Sequence, residues 1–190
     1  MPSLDMLPTV DQLNSPNSGV VTSPRVGVMI HFDDSSNDKW AVAWFRDPAC
    51  KVSYNRLYLD SGDVVSICAM SRKAWHAGVC KQKDANSAFY GLSAATNAQT
   101  PVTQRQFESI CYDTASLFRY HGWTASEVEK RIVGHDEQAI YGPSNTKRRE
   151  LWGKGGRKID PTGYDAANPI LSVVKARAIV ALLLSEGHHV

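Results

Sequence analysis

The chain has 190 residues, of which 43% are hydrophobic and 21% are charged, which is the composition of an ordinary soluble globular domain. Its formal net charge of +2 is too small to indicate a nucleic-acid partner and gives only a weak attraction to an anionic polymer. No stretch approaches the roughly 18 consecutive apolar residues of a membrane span, so membrane insertion is not expected.

Residues 1–24 are rich in proline, serine and asparagine and show little periodicity, which predicts an extended N-terminal arm. Residues 25–190 then form a single domain. The N-terminus also lacks the basic-then-apolar pattern of a secretory signal, because Asp5 and Pro8 interrupt any apolar run. We therefore expect the protein to be made in the cytoplasm.

The first half of the domain is predicted to contain three strands and one helix. Residues 26–32 form a nearly continuous apolar run, typical of a strand that is buried on both faces. Asp38 is a candidate cap for a short helix that ends at Asp47, which precedes a proline. Residues 52–59 and 64–69 then read as two strands that are joined by a tight turn.

The second half is predicted to alternate short strands with longer helices. Residues 89–94 and 131–134 are strand candidates, and Asn168 with the following proline is predicted to begin the last helix. Two capping boxes mark the starts of two further helices, and they pair Thr103 with Gln106 and Thr124 with Glu127. This order of elements predicts an α/β fold with a central mixed β-sheet flanked by helices.

The four cysteines show no CxxC or other metal-binding spacing; they are Cys50, Cys68, Cys80 and Cys111. In a chain with a sizeable core, this pattern favours reduced and mostly buried thiols over disulfides.

Three residues suggest a metal centre. His31 stands where the first predicted strand gives way to a polar loop, His135 stands at the end of the strand at 131–134, and Asp160 lies in a loop rich in glycine and proline. Side chains at strand ends can converge at one edge of a sheet, and two imidazoles with one carboxylate form a three-ligand zinc site with an open position. Taken singly, a histidine at a strand end is more often a structural residue, and an aspartate before proline is more often a turn-former.

Two further residues could assist chemistry beside such a metal. Lys158 lies two residues before Asp160, where its ammonium could stabilise an oxyanion, although it could also be a solvated loop lysine. Tyr54 could orient the water bound to the metal or exchange a proton with it, although a tyrosine in a sheet is usually a packing residue. The pair Trp75 and His76 could form a cleft wall that contacts substrate, or an aromatic lid without a chemical role.

These motifs resemble the zinc-dependent N-acetylmuramoyl-L-alanine amidases of the type-2 amidase and peptidoglycan-recognition-protein superfamily. The resemblance covers roughly residues 24–185. Its most specific parts are the Gly-His-Asp-Glu sequence at 134–137, the Gly-Arg-Lys-Ile-Asp-Pro sequence at 156–161 and the Ala-Trp-His-Ala-Gly sequence at 74–78.

The resemblance implies that a zinc ion is bound by His31, His135 and Asp160, and that Tyr54 and Lys158 assist catalysis. It further implies that Trp75, His76 and Asn86 are substrate-binding residues beside a surface groove. The implied reaction is hydrolysis, by zinc-activated water, of the amide bond between N-acetylmuramic acid and L-alanine in peptidoglycan. The partner would then be the glycan strand with its stem peptide, and the enzyme is expected to act as a monomer.

The chain departs from one subgroup of this family. Recycling amidases carry a glutamate on the strand that follows the His76 loop, whereas this chain offers Ser93 at that place. This difference favours a phage endolysin that reaches the cell wall after release through a holin. A cytoplasmic amidase that recycles soluble muropeptides remains an alternative, and so does a peptidoglycan-binding module without hydrolytic activity.

Overall fold

The computed structural model describes residues 4–80, 83–138, 158–165 and 167–186. The strands within these ranges are β1 (Thr9–Gln12), β2 (Ser18–Val20), β3 (Gly27–Phe32), β4 (Arg56–Tyr58), β5 (Val64–Ser66), β6 (Arg72–Ala74), β7 (Val79–Cys80), β8 (Lys83–Asp84), β9 (Phe89–Ala94) and β10 (Ile132–Gly134). Six of them form one mixed sheet in the order β1-β5-β4-β9-β3-β10, and the others form two small two-stranded sheets. No helix in these ranges is both long and apolar enough to cross a membrane.

The centre of the sheet is parallel, and the apolar run at 26–32 forms a strand there that is buried on both faces, as predicted. Strands β4, β9, β3 and β10 run in the same direction, while β4 and β5 form an antiparallel hairpin. Every residue of β3 and of β9 is buried, because both faces of these strands are covered. The predicted central mixed sheet flanked by helices is therefore confirmed.

Helices cover the two faces of the sheet unequally. The α-helices of the described residues are α1 (Asp38–Arg46), α2 (Ala85–Ala88), α3 (Gln104–His121), α4 (Val128–Arg131) and α5 (Val173–Ser185). The long helices α3 and α5 pack against each other and against one face, where Val28 and Ile30 of β3 enter the largest apolar cluster. Met29 belongs to a separate cluster on the opposite face, so the alternation of side chains along β3 directs His31 to that second face.

Both capping boxes are present as predicted. The Thr103 side chain accepts a hydrogen bond from the backbone N–H of Gln106, whose own side chain accepts one from the N–H of Thr103. The reciprocal pair at Thr124 and Glu127 opens a short 3-10 turn that leads into α4. Strand β9 also has the predicted bounds.

Two predicted helix starts are wrong. The cap of α1 is Asn37, whose side chain accepts from the Trp40 N–H, and Asp38 is the first helical residue. The last helix begins at Val173 with Ser172 as its cap, so Asn168 lies outside it. The backbone before Val173 makes a hydrogen bond outside the helix, from the N–H of Ile170 to the carbonyl of Thr162. This tertiary bond holds the segment as a loop, where the sequence signal alone suggested a helix.

The N-terminal segment contributes strands to the fold. Strand β1 pairs in parallel with β5 at one edge of the main sheet, and β2 pairs antiparallel with β6. Three of the cysteines, Cys50, Cys68 and Cys111, are buried free thiols, as predicted for them.

Candidate metal centre

Backbone pairing brings His31 and His135 together. His31 is the fifth residue of β3, and His135 directly follows β10, the parallel neighbour of β3. The N–H of His135 donates to the carbonyl of Ile30 at 3.2 Å and so extends this pairing by one residue. The two imidazoles therefore leave the same edge of the sheet, with ring centroids 4.7 Å apart.

Asp160 reaches the same point from a loop. The backbone N–H of Asp136 donates to the carbonyl of Asp160 at 2.7 Å, which ties the loop to the residue after His135. The next residue of the loop, Pro161, accepts from the N–H of Leu171 at 3.0 Å. The loop is thus fixed on both sides of the carboxylate.

The three side chains form a compact donor set. Asp160 Oδ2 lies 2.8 Å from His31 Nδ1 and 3.0 Å from His135 Nδ1. One ligand atom from each residue lies within 4.8 Å of the other two. Imidazole nitrogen with carboxylate oxygen is a donor set that suits zinc, and three protein ligands leave a position for water. The residues present therefore fit the zinc ion that the sequence predicted.

The electrostatic surroundings keep this donor set ready for a cation. Burial lowers the pKa of His31 to about 4, so its imidazole is neutral at pH 7. Burial would by itself raise the pKa of Asp160, but the adjacent His135 holds it well below the usual range. A neutral imidazole at His31 and an ionised carboxylate at Asp160 are protonation states that metal coordination requires.

His76 contacts His31 on the side of the ring opposite to Asp160. Its Nδ1 lies 3.0 Å from His31 Nε2, and its Nε2 lies 3.3 Å from the carbonyl oxygen of Phe89. Only 7% of His76 is exposed, and burial lowers its pKa well below the usual value. By contrast, the Nε2 atom of His135 is buried without a hydrogen-bond partner among the described residues.

Trp75 and Asn86, the two other residues predicted to bind substrate, lie beside His76 but do not line the groove next to the candidate ligands. The Asn86 side-chain oxygen accepts from the backbone N–H groups of His76, Ala77 and Gly78, at 2.7 to 2.9 Å. Trp75 is 40% exposed, and its backbone pairs with that of Ser53. The contacts of Asn86 are those of a residue that holds the loop, while a substrate role for either residue stays a prediction.

Tyr54 lies against the metal centre, in the segment before β4 and not within a strand as the sequence suggested. Its ring centroid is 5.0 Å from that of His31, and 6% of the residue is exposed. Burial and the nearby Asp160 raise the pKa of the Tyr54 hydroxyl well above 10. The hydroxyl therefore stays protonated at neutral pH and can donate a hydrogen bond.

A groove of about 510 Å³ opens above these residues. Lys158, His135 and Asp160 line it together with Tyr54 and His76. Asp160 is the ligand with partial access, since 14% of its side chain is exposed while the His31 side chain is fully buried. Lys158 is thus placed on the wall of the groove that contains the candidate ligands.

The sequence analysis did not identify the ion pair of Glu137 and Arg177, which holds the backbone next to His135. Glu137 Oε2 accepts from the Gly134 N–H at 2.9 Å and from Arg177 Nη2 at 2.5 Å. Arg177 also donates twice to the carbonyl of Ile132, the first residue of β10. Both side chains of the pair are at most 5% exposed. The available signal was an arginine within the apolar face of the last helix, since a buried arginine requires a partner.

A family model described as N-acetylmuramoyl-L-alanine amidase matches residues 22–163 of the chain. The protein belongs to this family. The match spans the three candidate ligands and the Ala-Trp-His-Ala-Gly loop, and it confirms the family resemblance of the sequence motifs. No curated protein sequence matches the chain significantly.

Solved structures show the same fold at low sequence identity. The Staphylococcus aureus hydrolase AmiA, solved in complex with its ligand, is 12% identical with a TM-score of 0.67, covering 96% of this chain and 87% of its own. A selenomethionine derivative of AmpD is 19% identical with a TM-score of 0.57, covering 68% of this chain and 82% of its own. The architecture around the candidate centre is therefore that of the type-2 amidases.

Proposed function

We propose that the protein is a zinc-dependent N-acetylmuramoyl-L-alanine amidase that hydrolyses the bond between N-acetylmuramic acid and L-alanine in peptidoglycan. The observation that carries this proposal is the convergence of His31 Nδ1, His135 Nδ1 and Asp160 Oδ2 beside a groove that His135 and Asp160 line. Membership of the amidase family supplies the substrate class. The same three residues are the ligands that the sequence motifs predicted.

The proposed roles follow from the positions of the side chains. When bound, a zinc ion would supply Lewis-acid polarisation of the scissile carbonyl and a water of lowered pKa. Lys158, on the groove wall, stabilises negative charge that develops on the carbonyl oxygen. Tyr54 donates a hydrogen bond from its protonated hydroxyl, which orients the reacting groups without removing a proton.

The groove also supports binding of a glycan strand with its stem peptide. Trp44 and Tyr164 both line it and are 39% and 63% exposed. Exposed aromatic rings offer flat apolar faces beside polar groups, which suits a substrate that combines sugar rings with a peptide. We expect the enzyme to act as a monomer, because the proposed ligands all come from one chain.

Within the family, we favour an endolysin over a recycling amidase. Strand β9 contains no acidic residue, and Ser93 occupies the position opposite His31 in the register of β3 and β9. Ser93 is fully buried and its hydroxyl interacts with that of Tyr54. A buried serine cannot act as the carboxylate base that we expect on this strand of a recycling enzyme. Release through a holin would then bring the enzyme to the cell wall.

The metal part of the proposal is tested by zinc analysis of the purified protein after dialysis. We expect bound zinc in the natural protein and its loss in His135→Ala. The matched control is His121→Ala, because His121 lies at the end of α3 and its ring pairs with Tyr90, away from the site. Zinc retained by His135→Ala would contradict the proposed coordination.

The reaction is tested by mass spectrometry of digested cell-wall sacculi. A new L-alanine amino terminus, formed without cleavage of the glycan, is the expected product. Intact sacculi with the protein bound would instead identify a non-catalytic binding module. Comparison of sacculi with soluble anhydro-muropeptides separates the two enzymes, since an endolysin prefers the polymer and a recycling amidase prefers the fragments.

A further inference from the structure

His76 is in contact with a proposed ligand but is not itself part of the donor set. It meets His31 at Nε2, whereas Asp160 meets the same ring at Nδ1. We propose that His76 is a positioning residue that fixes the tautomer of His31, so that the Nδ1 lone pair of His31 is directed at the metal. This inference rests on the proposed zinc site and adds a role that a substrate-contacting histidine would not have.

The hydrogen-bonding partners determine where the protons lie. The carbonyl of Phe89 can only accept, so the Nε2 atom of His76 must carry the hydrogen that joins them. A neutral imidazole carries one N–H, which leaves His76 Nδ1 as an acceptor. The partner of that acceptor, 3.0 Å away, is His31 Nε2, which therefore carries the hydrogen of its ring.

The consequence appears on the other side of the His31 ring. With its hydrogen on Nε2, neutral His31 presents a lone pair at Nδ1, 2.8 Å from an oxygen of the Asp160 carboxylate. Two acceptors at this distance repel each other unless a proton or a metal ion lies between them. A metal ion held by both atoms would relieve this repulsion without charging the His31 ring, so the relay from the Phe89 carbonyl through His76 favours metal binding.

His76 is suited to this task because its position is fixed. Asn86 holds the backbone of the loop through three N–H groups, including that of His76. Below the ring lies Gly91 of β9, where an added Cβ would approach His76 Cγ and Cδ2 to 2.8 Å. Glycine at this place leaves the space that the imidazole occupies, and both nitrogens of that imidazole are engaged within the protein.

Alternative charge states of His76 do not suit its surroundings. Its two partners are a backbone carbonyl and another imidazole, and neither carries a negative charge that would stabilise a protonated ring. The residue is also buried. The neutral ring with its hydrogen on Nε2 is therefore the form that satisfies both contacts.

Zinc affinity of two His76 variants tests the role directly, by competition with a chromogenic chelator. His76→Leu removes the acceptor for His31 Nε2, and we expect its zinc affinity to fall roughly 10- to 100-fold, as for other partners of metal-binding histidines. His76→Asn places an amide oxygen close to the position of Nδ1 and should retain most of the affinity. The control His121→Leu changes a histidine outside the site and should leave the affinity unchanged.

A second readout needs neither substrate nor activity. In protein with ¹⁵N-labelled histidine, NMR should show a hydrogen on His31 Nε2 both with and without zinc. This hydrogen should exchange with water faster in His76→Leu than in His76→Asn, because only the asparagine variant keeps an acceptor for it. A neutral His31 with its hydrogen on Nδ1 in the zinc-free protein would overturn the proposal. So would a folded His76→Leu that binds zinc as tightly as the natural protein.

These outcomes are separable from failure of the proposed function. A protein that cleaves no peptidoglycan but shows the His31 tautomer and the loss of zinc affinity would leave the role of His76 intact. Conversely, an active amidase with the other His31 tautomer would overturn only the inference about His76. If His76→Leu fails to fold, the tautomer in the natural protein and the affinity of His76→Asn still decide the question.

Discussion

The buried pair of Glu137 and Arg177 should contribute more to stability than an exposed pair of the same kind. In Glu137→Ala, the buried guanidinium of Arg177 loses its closer carboxylate and keeps the exposed one of Glu129, 3.8 Å away, and the Gly134 N–H loses its acceptor. Removing one partner of a buried ion pair typically costs 3–5 kcal/mol. Arg177 keeps two hydrogen bonds to the Ile132 carbonyl, so we place the loss near the lower end, at about 3 kcal/mol.

The matched control is Asp11→Ala, which removes a carboxylate from an ion pair on the surface. The partner of Asp11 is Arg46, and the two side chains are 40% and 59% exposed. Exposed pairs contribute at most about 1 kcal/mol, because water screens the charges. Urea unfolding followed by circular dichroism, with a chelator present so that metal binding does not contribute, measures both losses.

A third variant separates the charge from the hydrogen bond. Glu137→Gln keeps an oxygen that can accept from the Gly134 N–H but removes the negative charge beside Arg177, so its stability should lie between the other two. If Glu137→Ala loses no more stability than Asp11→Ala, the pair does not support the His135 segment as argued, and the reasoning from burial fails.

Three other predictions concern catalysis, the metal and the thiols. Lys158→Ala should bind zinc normally but lose two to three orders of magnitude in kcat, about 2.7–4 kcal/mol, and full activity would contradict its role as an oxyanion donor. Zinc at 100 times its Kd should stabilise the protein by about 2.7 kcal/mol, measured as a rise in Tm. His135→Ala should abolish this rise, and an equal rise in that variant would show that zinc binds elsewhere. In a Cys80→Ser background, a thiol reagent at pH 8 should not modify the folded protein, because the three remaining cysteines are buried and burial raises the pKa of Cys111 to about 12. The same reagent should modify all three after unfolding. Rapid modification before unfolding would refute that burial.

The sequence was sufficient where a local pattern dictates the structure. The short apolar run at 26–32 favours a strand that is covered on both faces, and β3 occupies Gly27–Phe32 with every residue buried. The box at Thr103 and Gln106 satisfies two N–H groups within one turn, so its structure depends on nothing distant. These features depend on neighbours in the chain, which a sequence displays directly.

Other features depend on contacts between distant residues, and the sequence did not reveal them. The last helix starts at Val173 and not at Asn168, because the carbonyl of Thr162 accepts a hydrogen bond from the N–H of Ile170 and holds that segment as a loop. The side-chain oxygen of Asn86, which is predicted to bind substrate, accepts a hydrogen bond from the backbone of the loop that contains His76. Neither contact follows from periodicity or propensity, since each joins segments whose relative position is fixed only by the complete fold.

The candidate centre combines both kinds of information. His31 lies near the end of β3 and His135 directly follows β10, so the parallel pairing of these strands is enough to place their side chains together. Asp160 has no such constraint from its sequence, and the structure supplies one through the hydrogen bond from Asp136 to its backbone carbonyl. Because Asp136 directly follows His135, the loop ligand is tied to the strand that carries the second histidine.

This connection implies that the three ligands are arranged before a metal binds. Two of them are fixed by the sheet, and the third is fixed to the sheet by a backbone bond next to His135, so little conformational freedom is left to lose on coordination. Zinc binding should therefore leave the backbone around the site unchanged, and hydrogen exchange of the amides of His135 and Asp136 should be slow in the metal-free protein as well. Fast exchange there that becomes slow only with zinc would show that the metal itself assembles the site.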